Sequence, residues 1–357
     1  MKIGIYGGSF DPIHIGHIEV AKYVRDELKL DKMIFVPTNC SPFKKKAKKA
    51  SNEDKINMIN LVLEDKMELS DFEIKKGGVN YTIDTIRYFS KKYPNDELFF
   101  IIGSDNLPQL HKWKEIEEIS ILAKIVVVKR SSKINKTNLK KYNCLLLNNK
   151  LFDFSSTEIK KGYLDMLDPK VLNYIQNKGL YLEMIIHNSL SALRAKHSVA
   201  TASFAAELAK KHGLDAKKAY MAGLIHDIAK EWTYENSKAF VNEFYPGLNI
   251  PKHKMHQLCG KLWAKHCYGV TDLEILHAIE FHTTMDYNFS DFDKVIFIAD
   301  KICDGRKYPG IQKVREKVFE DLELGFKLVV ENNLEQIKAS GVTLDDEAIK
   351  LYQYFLK

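Results

Sequence analysis

The chain has 357 residues, is 45% hydrophobic and carries a formal net charge of +7. That length exceeds one ordinary core and predicts two domains, while the hydrophobic content excludes a disordered chain. No apolar run is long enough to span a bilayer, and the opening MKIGIYGG lacks the charged and apolar regions of a secretory leader, so a cytoplasmic protein with no membrane partner is expected. Five cysteines, Cys40, Cys144, Cys259, Cys267 and Cys303, are scattered without a CxxC pair, which fits reduced thiols better than a disulfide framework or a thiolate zinc site. The charge is uneven: residues 1–185 hold 31 Lys and Arg against 24 Asp and Glu, whereas residues 186–357 hold 23 of each. A basic first half suits an anionic ligand. Lys44, Lys45, Lys46, Lys48 and Lys49 supply much of the excess. Without interleaved aromatics they read as a solvated loop rather than a nucleic-acid surface, with one or two able to reach a phosphate.

The predicted elements alternate at first. KIGIY, KMIFVP, ELFFIIG and KIVVVKR read as buried strands, and between them IEVAKYVRDELKL, SNEDKINMINLVLE and YTIDTIRYFSKKY carry apolar residues at helical spacing, with Ser51 as a predicted N-cap. This order predicts a Rossmann-like α/β domain with a parallel sheet, and a ligand beyond the carboxyl ends of its strands. GGSFDPIHIGH follows the first strand directly. Gly7 and Gly8 let a ligand approach the backbone, and His14 and His17, three apart at a helix start, share one face beside that turn. Two such donors suit a triphosphate whose charge moves toward the leaving group in nucleotidyl transfer. A glycine-rich turn alone is equally a tight strand-to-helix connection; the combination with two histidines carries the reading.

From about residue 185 the strand signal fades. HNSLSALRAKHSVATASFAAELAKKHG, DAKKAYMAGLIHDIAKEW, TDLEILHAIEFHT and SDFDKVIFIADKIC are helical, so the second domain is predicted to be all-α. Texture alone places the domains at residues 1–185 and 186–357. GLIHDIAK sets His226 beside Asp227, and His197, His256, His282 and Asp300 stand in apolar helical patterns around it. Imidazoles and carboxylates from several helices can converge on a metal in a helical core, and a carboxylate can bridge two ions. Any one of these histidines is more simply a core residue, but the order H, HD, H, H, D argues against coincidence.

GGSFDPIHIGH resembles the HxGH region of the nucleotidyltransferase superfamily, and its details resemble nicotinate-nucleotide adenylyltransferase, which joins nicotinate mononucleotide to ATP. VPTNCSPFKKK, GGVNYTIDTI, IIGSDNLPQLHKWK and FDFSSTEIKKG resemble, in order, that family's proline-and-lysine loop, (S)YTIDT segment, GxD-and-tryptophan segment and SSTxIR motif. The resemblance implies that His14 and His17 are catalytic and bind ATP phosphates with the backbone of Gly8, Ser9 and Phe10. It implies that Ser155, Ser156, Thr157 and Lys160 reach the same phosphates, that Gly103 and Asp105 meet the ATP nucleoside, and that Lys44, Tyr81, Thr82 and Trp113 hold nicotinate mononucleotide. Mg²⁺ would accompany ATP. Taken alone, Ser155 and Glu158 form a capping box, and Trp113 and Tyr81 are ordinary packing residues. Lys160 stands where the motif has Arg, which loses the bidentate fork, and Asn80 where it has Ser.

RAKHS, AGLIHDIAK, AIEFHTT and FIADKICDGRKYPG resemble the HD-domain metal phosphohydrolases, and among them the YqeK-type diadenosine tetraphosphate hydrolase, which yields two ADP and is associated with iron. The resemblance implies His197, His226, Asp227 and Asp300 as primary metal ligands, with Asp227 also catalytic. His256 and His282 would hold a second metal or contact phosphate, and Arg194, Lys230, Thr283 and Arg306 would neutralise phosphates. Ligand type alone accommodates Fe, Mn, Co or Zn. Met285 follows the two threonines where that family often has Gly, and His277 is expected in helix packing. The expectation is a bifunctional enzyme acting on ATP, nicotinate mononucleotide and diadenosine tetraphosphate, with homo-oligomerisation left open. One rival is another HxGH transferase, using pantetheine phosphate or a cytidylyl donor, with an HD hydrolase for a guanosine alarmone. The other is a basic RNA-binding or regulatory scaffold with silent sites.

Overall fold

The computed structural model describes residues 1–39, 50–152 and 154–357. They divide into two compact units, residues 1–159 with 163–177, and residues 160–162 with 178–357. The division falls ahead of the 185/186 boundary suggested by texture, because that boundary cuts a helix, Leu182–Ser189, whose Leu182, Ile185 and Ile186 are buried.

In the first unit the strands are β1 (Lys2–Gly8), β2 (Lys32–Pro37), β3 (Met67–Leu69), β4 (Glu97–Gly103), β5 (Lys124–Val128) and β6 (Leu145–Leu146). They form one sheet in the order β3-β2-β1-β4-β5-β6, every pair parallel. The inner strands are buried along most of their length and apolar without alternation, as in the IFV of β2, the LFFII of β4 and the IVVV of β5, because helices cover both faces. β3 and β6 are only three and two residues long, too short to leave a period in the sequence. The strand order reverses between β1 and β4, where the crossovers diverge and a crevice opens at the carboxyl ends. Gly8 and Gly103 terminate those two strands. Ser51 caps the helix Asn52–Asn60 as its sequence suggests, its Oγ accepting the Asp54 N–H at 3.0 Å. The Tyr174 hydroxyl ties the later helix Pro169–Lys178 to this unit, donating to Asp54 Oδ1 at 2.8 Å.

The second unit is helical. Its helices Ala192–Lys211 and Ala216–Ile225 approach closely along small side chains, with Ala195, Ala202, Ala205, Ala219 and Ala222 fully buried. Gly223 is required there, since a Cβ would sit 2.6 Å from the Ala202 Cα. The helix Asp291–Ile302 is buried on nearly every side. Its Asp300 is therefore a charge inside a core, a position that persists only with positive partners. Among the described residues no helix is long and apolar enough to cross a membrane.

Candidate active sites

At the β1–β4 crevice the first unit encloses a cavity of about 930 Å³. Gly8, Ser9, Phe10, His14, His17, Tyr81, Thr82, Gly103, Asp105 and Trp113 all line it. His14 is the N-cap of the helix Ile15–Leu28, with extended backbone, and places His17 one turn further in. The two imidazoles stack with centroids 3.6 Å apart. The His14 backbone N–H donates to His17 Nδ1 at 3.2 Å, which leaves the His17 proton on Nε2. His14 Nδ1 is buried with no hydrogen-bond partner among the described residues. Phe10 adopts φ 42° and wedges between Tyr6, Phe35 and His17, with ring centroids 5.0–5.5 Å away, so the turn is held from beneath by packing. Gly103 leaves room for its neighbours: a Cβ there would meet Asp105 Oδ1 at 2.3 Å and Arg130 Cδ at 2.9 Å.

Burial, reinforced by Arg130, pushes His14 down to about 4, and burial with His14 and Arg130 holds His17 well below its ordinary value. Both are therefore neutral at neutral pH, donors without net charge. A group whose folded pKa is depressed to about 4 binds no proton between that value and its ordinary 6.5, whereas the unfolded chain does. Stability from this source is complete above about pH 6.5 and declines as pH falls toward about 4. A His14→Gln protein is expected to lose less stability than the parent across that interval, read by denaturant unfolding of the first unit at each pH.

The SSTEIK segment reaches the same turn from behind. Ser156 Oγ donates to the Pro12 carbonyl at 3.0 Å, and Phe154 fills the space a Cβ on Gly16 would need, 2.7 Å away. Ser155, Ser156, Thr157 and Lys160 do not line the cavity. Ser155 Oγ instead accepts the Thr157 N–H at 3.1 Å at the start of a one-turn helix, and Lys160 extends over the Tyr181 ring at 5.5 Å. Lys44 lies outside the described residues. Asn80, where a serine is usual, accepts from the Asn39 N–H at 3.0 Å and donates to the Glu73 carbonyl at 3.0 Å, so the longer amide bridges the loop after β2 to the short helix Phe72–Lys76 beside Tyr81.

The second unit collects its polar core from five helices. His197 Nε2 lies 2.9 Å from Asp300 Oδ1, and His226 Nε2 lies 3.7 Å from the same oxygen and 3.5 Å from Asp227 Oδ2. Asp227 Oδ1 is 3.6 Å from His282 Nε2 and 3.8 Å from His256 Nε2. His226 and His282 sit at the C-caps of Ala216–Ile225 and Leu273–Phe281, and each donates Nδ1–H to a carbonyl one turn back, Gly223 and Ile279, at 2.7 Å. That bond fixes the tautomer and turns the Nε2 lone pair inward, as ligating histidines require. The negative ends of two helix dipoles meet there as well, which favours a cation.

Three atoms test the fit to a metal: His226 Nε2, Asp227 Oδ1 and His282 Nε2 are buried and have no hydrogen-bond partner among the described residues. His197, His226 and Asp300 offer ligand atoms within 4.8 Å of one another, as do His226, Asp227 and His282. The two sets share His226, a geometry for one or two divalent ions. Burial opposes charge on His226, but Asp227 and Asp300 overcome it and push it up to about 9. Burial likewise opposes ionisation of Asp227, yet His226 and His282 hold its carboxyl far below the usual carboxylate range. The pocket thus demands positive charge at its centre.

Asp227 and Asp300 open onto a cavity of about 590 Å³ whose wall also carries Arg194, Lys230, Thr283 and Arg306, all four suggested by sequence. Arg194 Nη1 donates to Asp227 Oδ2 at 2.8 Å and Arg306 Nη2 to Asp300 Oδ1 at 3.1 Å, so both guanidiniums stand on the rim of the ligand cluster. His277 instead pairs with the capping Asp293 at 2.9 Å, away from this cluster, in keeping with a packing role. Met285 is buried with φ 60°, the left-handed region in which glycine is unstrained, which accounts for the usual glycine there and makes this side chain a local strain.

Sequence reasoning missed several lining residues. Arg130 and Lys114 line the first cavity, Lys114 with its Nζ 5.1 Å from the Tyr81 ring. Arg130 comes two residues after β5, so the rule that ligands bind beyond strand carboxyl ends could have found it. In the second cavity Lys301, Lys307, Tyr308, Asn333 and Gln336 were missed. Lys301, Lys307 and Tyr308 stand inside the FIADKICDGRKYPG segment and were signalled by position; Asn333 and Gln336 carry no motif.

A doubly wound sheet with a histidine-lined cavity at its switch point, followed by a helical unit with a buried His/Asp centre, defines the class: a nucleotidyltransferase domain joined to an HD-type metal phosphohydrolase domain. A cytidylyltransferase-like family model matches residues 5–162, and an HD domain model matches residues 194–304. A Mycoplasma pneumoniae protein named "Probable nicotinate-nucleotide adenylyltransferase/Ap4A hydrolase" is 34% identical over 307 residues, which cover 84% of this chain and 87% of that protein. Its Mycoplasma genitalium namesake is 33% identical over 311 residues, covering 86% and 88%. The chain belongs to this family of two-domain nicotinate-nucleotide adenylyltransferase/Ap4A hydrolases. A solved HD superfamily hydrolase of Clostridium acetobutylicum is 31% identical, covering 49% of this chain and 95% of that one, with a TM-score of 0.45.

Proposed function

We propose that the first unit transfers AMP from ATP to nicotinate mononucleotide, giving nicotinate adenine dinucleotide and pyrophosphate, and that the second hydrolyses diadenosine tetraphosphate to two ADP. The observation that carries the reading is the presence on one chain of two chemically distinct anion-handling sites, one with neutral imidazoles beside a glycine turn, the other with buried ligands that require cations. In the transfer, a phosphate oxygen of the mononucleotide adds to the α-phosphorus of ATP and the bond to the β-bridging oxygen breaks, so pyrophosphate leaves. No covalent intermediate on the protein is needed. His14 and His17 donate to the phosphates where charge accumulates, and their low pKa values keep them hydrogen-bonding rather than proton-releasing groups. Mg²⁺ arrives with ATP as part of the substrate. Trp113 offers its face to the pyridine ring, Tyr81 and Thr82 fix the nicotinate carboxylate, and Asp105 accepts from the ribose of ATP. Positioning and electrostatics supply the rate.

In the hydrolysis, water adds to a β-phosphorus and the oxygen bridging the two halves departs with the second ADP. His197, His226, Asp227 and Asp300 would hold the divalent metal, with His256 and His282 beside a second; we assign iron. When bound, the metal supplies Lewis acidity toward the phosphate chain. Arg194, Lys230 and Arg306 draw the phosphates in, and the Thr283 hydroxyl orients one of them. Soluble nucleotide substrates for both reactions support a cytoplasmic enzyme.

The test is direct. Incubated with ATP and nicotinate mononucleotide, the protein is expected to form nicotinate adenine dinucleotide, and with diadenosine tetraphosphate alone to form ADP. Product only from pantetheine phosphate, or salt-dependent RNA binding without turnover of either substrate, would reject the reading.

A further inference from the structure

The lining of the second cavity mixes two kinds of chemistry. It carries the metal-ligating carboxylates and the cations Arg194, Lys230, Lys301, Arg306 and Lys307. It also carries Tyr308, Asn333 and Gln336, an aromatic ring and two amides with no formal charge. A substrate that was only a chain of phosphates would have no use for those three, whereas a nucleotide presents a flat base with a hydrogen-bonding edge. Asn333 and Gln336 lie one turn apart on the helix Leu322–Ala339, so they face the same way. All three residues lie beyond the span matched by the HD domain model, which ends at residue 304.

Asn333 is held by a partner outside the cavity. The Tyr352 hydroxyl, on the helix Asp346–Leu356, donates to Asn333 Oδ1 at 2.6 Å. Burial pushes Tyr352 up to about 12, so it remains a donor at neutral pH. That bond fixes the Asn333 amide with its oxygen toward Tyr352, so that its NH2 group is the part left to donate to a ligand. Adenine presents an unprotonated ring nitrogen at N1 beside a donor at N6, whereas guanine presents a donor at N1.

We propose that Tyr308, Asn333 and Gln336 form the base-recognition part of the second site and select adenine over guanine. Tyr308 stacks on the base, Asn333 donates to N1, and the Gln336 carbonyl accepts from the N6 amino group. Guanine would set its N1–H against the Asn333 donor. This inference rests on the reading of the second unit as a dinucleoside polyphosphate hydrolase.

The test substitutes Asn333→Asp, which is isosteric and can still accept from Tyr352, but turns an acceptor toward the base. Calorimetric titration of the full-length metal-loaded protein with ADP and with GDP should show ADP preferred in the parent. That preference should fall by about tenfold in the variant, the size of one good base contact. Because the change lies in the second unit, the difference between parent and variant isolates that cavity from any nucleotide bound by the first. Exposed Gln336→Ala should reduce the same preference without altering binding of inorganic pyrophosphate, so that loss through misfolding is separated from loss of recognition. Ratios unchanged in both variants would overturn the proposal. A parent that fails to hydrolyse diadenosine tetraphosphate yet shows the ADP preference and its loss would overturn the assigned reaction and keep the base site. Hydrolysis with no base preference would do the reverse.

Discussion

Replacing Asp227 by Ala is expected to lower hydrolysis of diadenosine tetraphosphate by at least about 100-fold, since a residue among the ligands should cost no less than the outer groups that merely orient them. It should also strip the bound metal while leaving adenylyl transfer within about twofold of the parent, because Asp227 is not among the residues lining the first cavity. The reason is the place this carboxylate holds. One oxygen takes the Arg194 guanidinium at 2.8 Å; the other stands 3.6 Å and 3.8 Å from His282 and His256. Without it, the buried Nε2 atoms of His226 and His282 face one another across a space that has lost half its negative charge, and Asp300 alone must hold a cation. Asp227→Asn preserves the shape and removes the charge, so it should lose the metal almost as completely. Elemental analysis of each purified variant, paired with both assays, reads the result. Retention of metal and hydrolysis in Asp227→Ala would remove Asp227 from the ligand set and leave the metal to His197, His226 and Asp300.

Much of this organisation is legible in the chain, for reasons that differ between elements. The inner strands of the first sheet declare themselves because burial on both faces favours apolar residues without alternation, most plainly the continuous runs in ELFFIIG and KIVVV. β3 and β6 do not, since edge strands of two or three residues satisfy too few positions to leave a period. His14 and His17 could be read because helix geometry joins residues three apart to one face. The convergence of His197, His226, His282 and Asp300 rests on tertiary packing, so sequence supplied candidates and the close helix crossing at Gly223 supplied their meeting point. The SSTEIK segment shows the opposite outcome. Its residues brace the histidine turn through Ser156 and Pro12, while Ser155, Thr157 and Lys160 remain off the cavity wall. Asn333 and Gln336 had no signal at all, because two amides on an amphipathic helix look like solvated surface until Tyr352 is seen fixing one of them.

Replacing His17 by Ala is expected to lower kcat for adenylyl transfer by about 10²–10³-fold, the range for removing one donor aimed at developing charge. KM for nicotinate mononucleotide should change far less, and hydrolysis by the second unit should not change. His17 meets the requirements for such a donor. Its Nδ1 is occupied by the His14 backbone N–H, so its one proton is on Nε2, and the ring is held between His14 and Phe10 and cannot reorient. An imidazolium in that place would attract the ground-state triphosphate as strongly as the transition state, and binding both equally does not raise kcat. Burial, with His14 and Arg130, keeps the ring neutral instead. It follows that the parent's transfer rate should show no histidine titration between about pH 8 and about pH 6, where an ordinary imidazole would begin to charge. A rate that rose through that interval as pH fell, and flattened in His17→Ala, would mean that His17 works as a cation or as a proton donor to the leaving pyrophosphate, and the electrostatic role assigned to it would have to be abandoned.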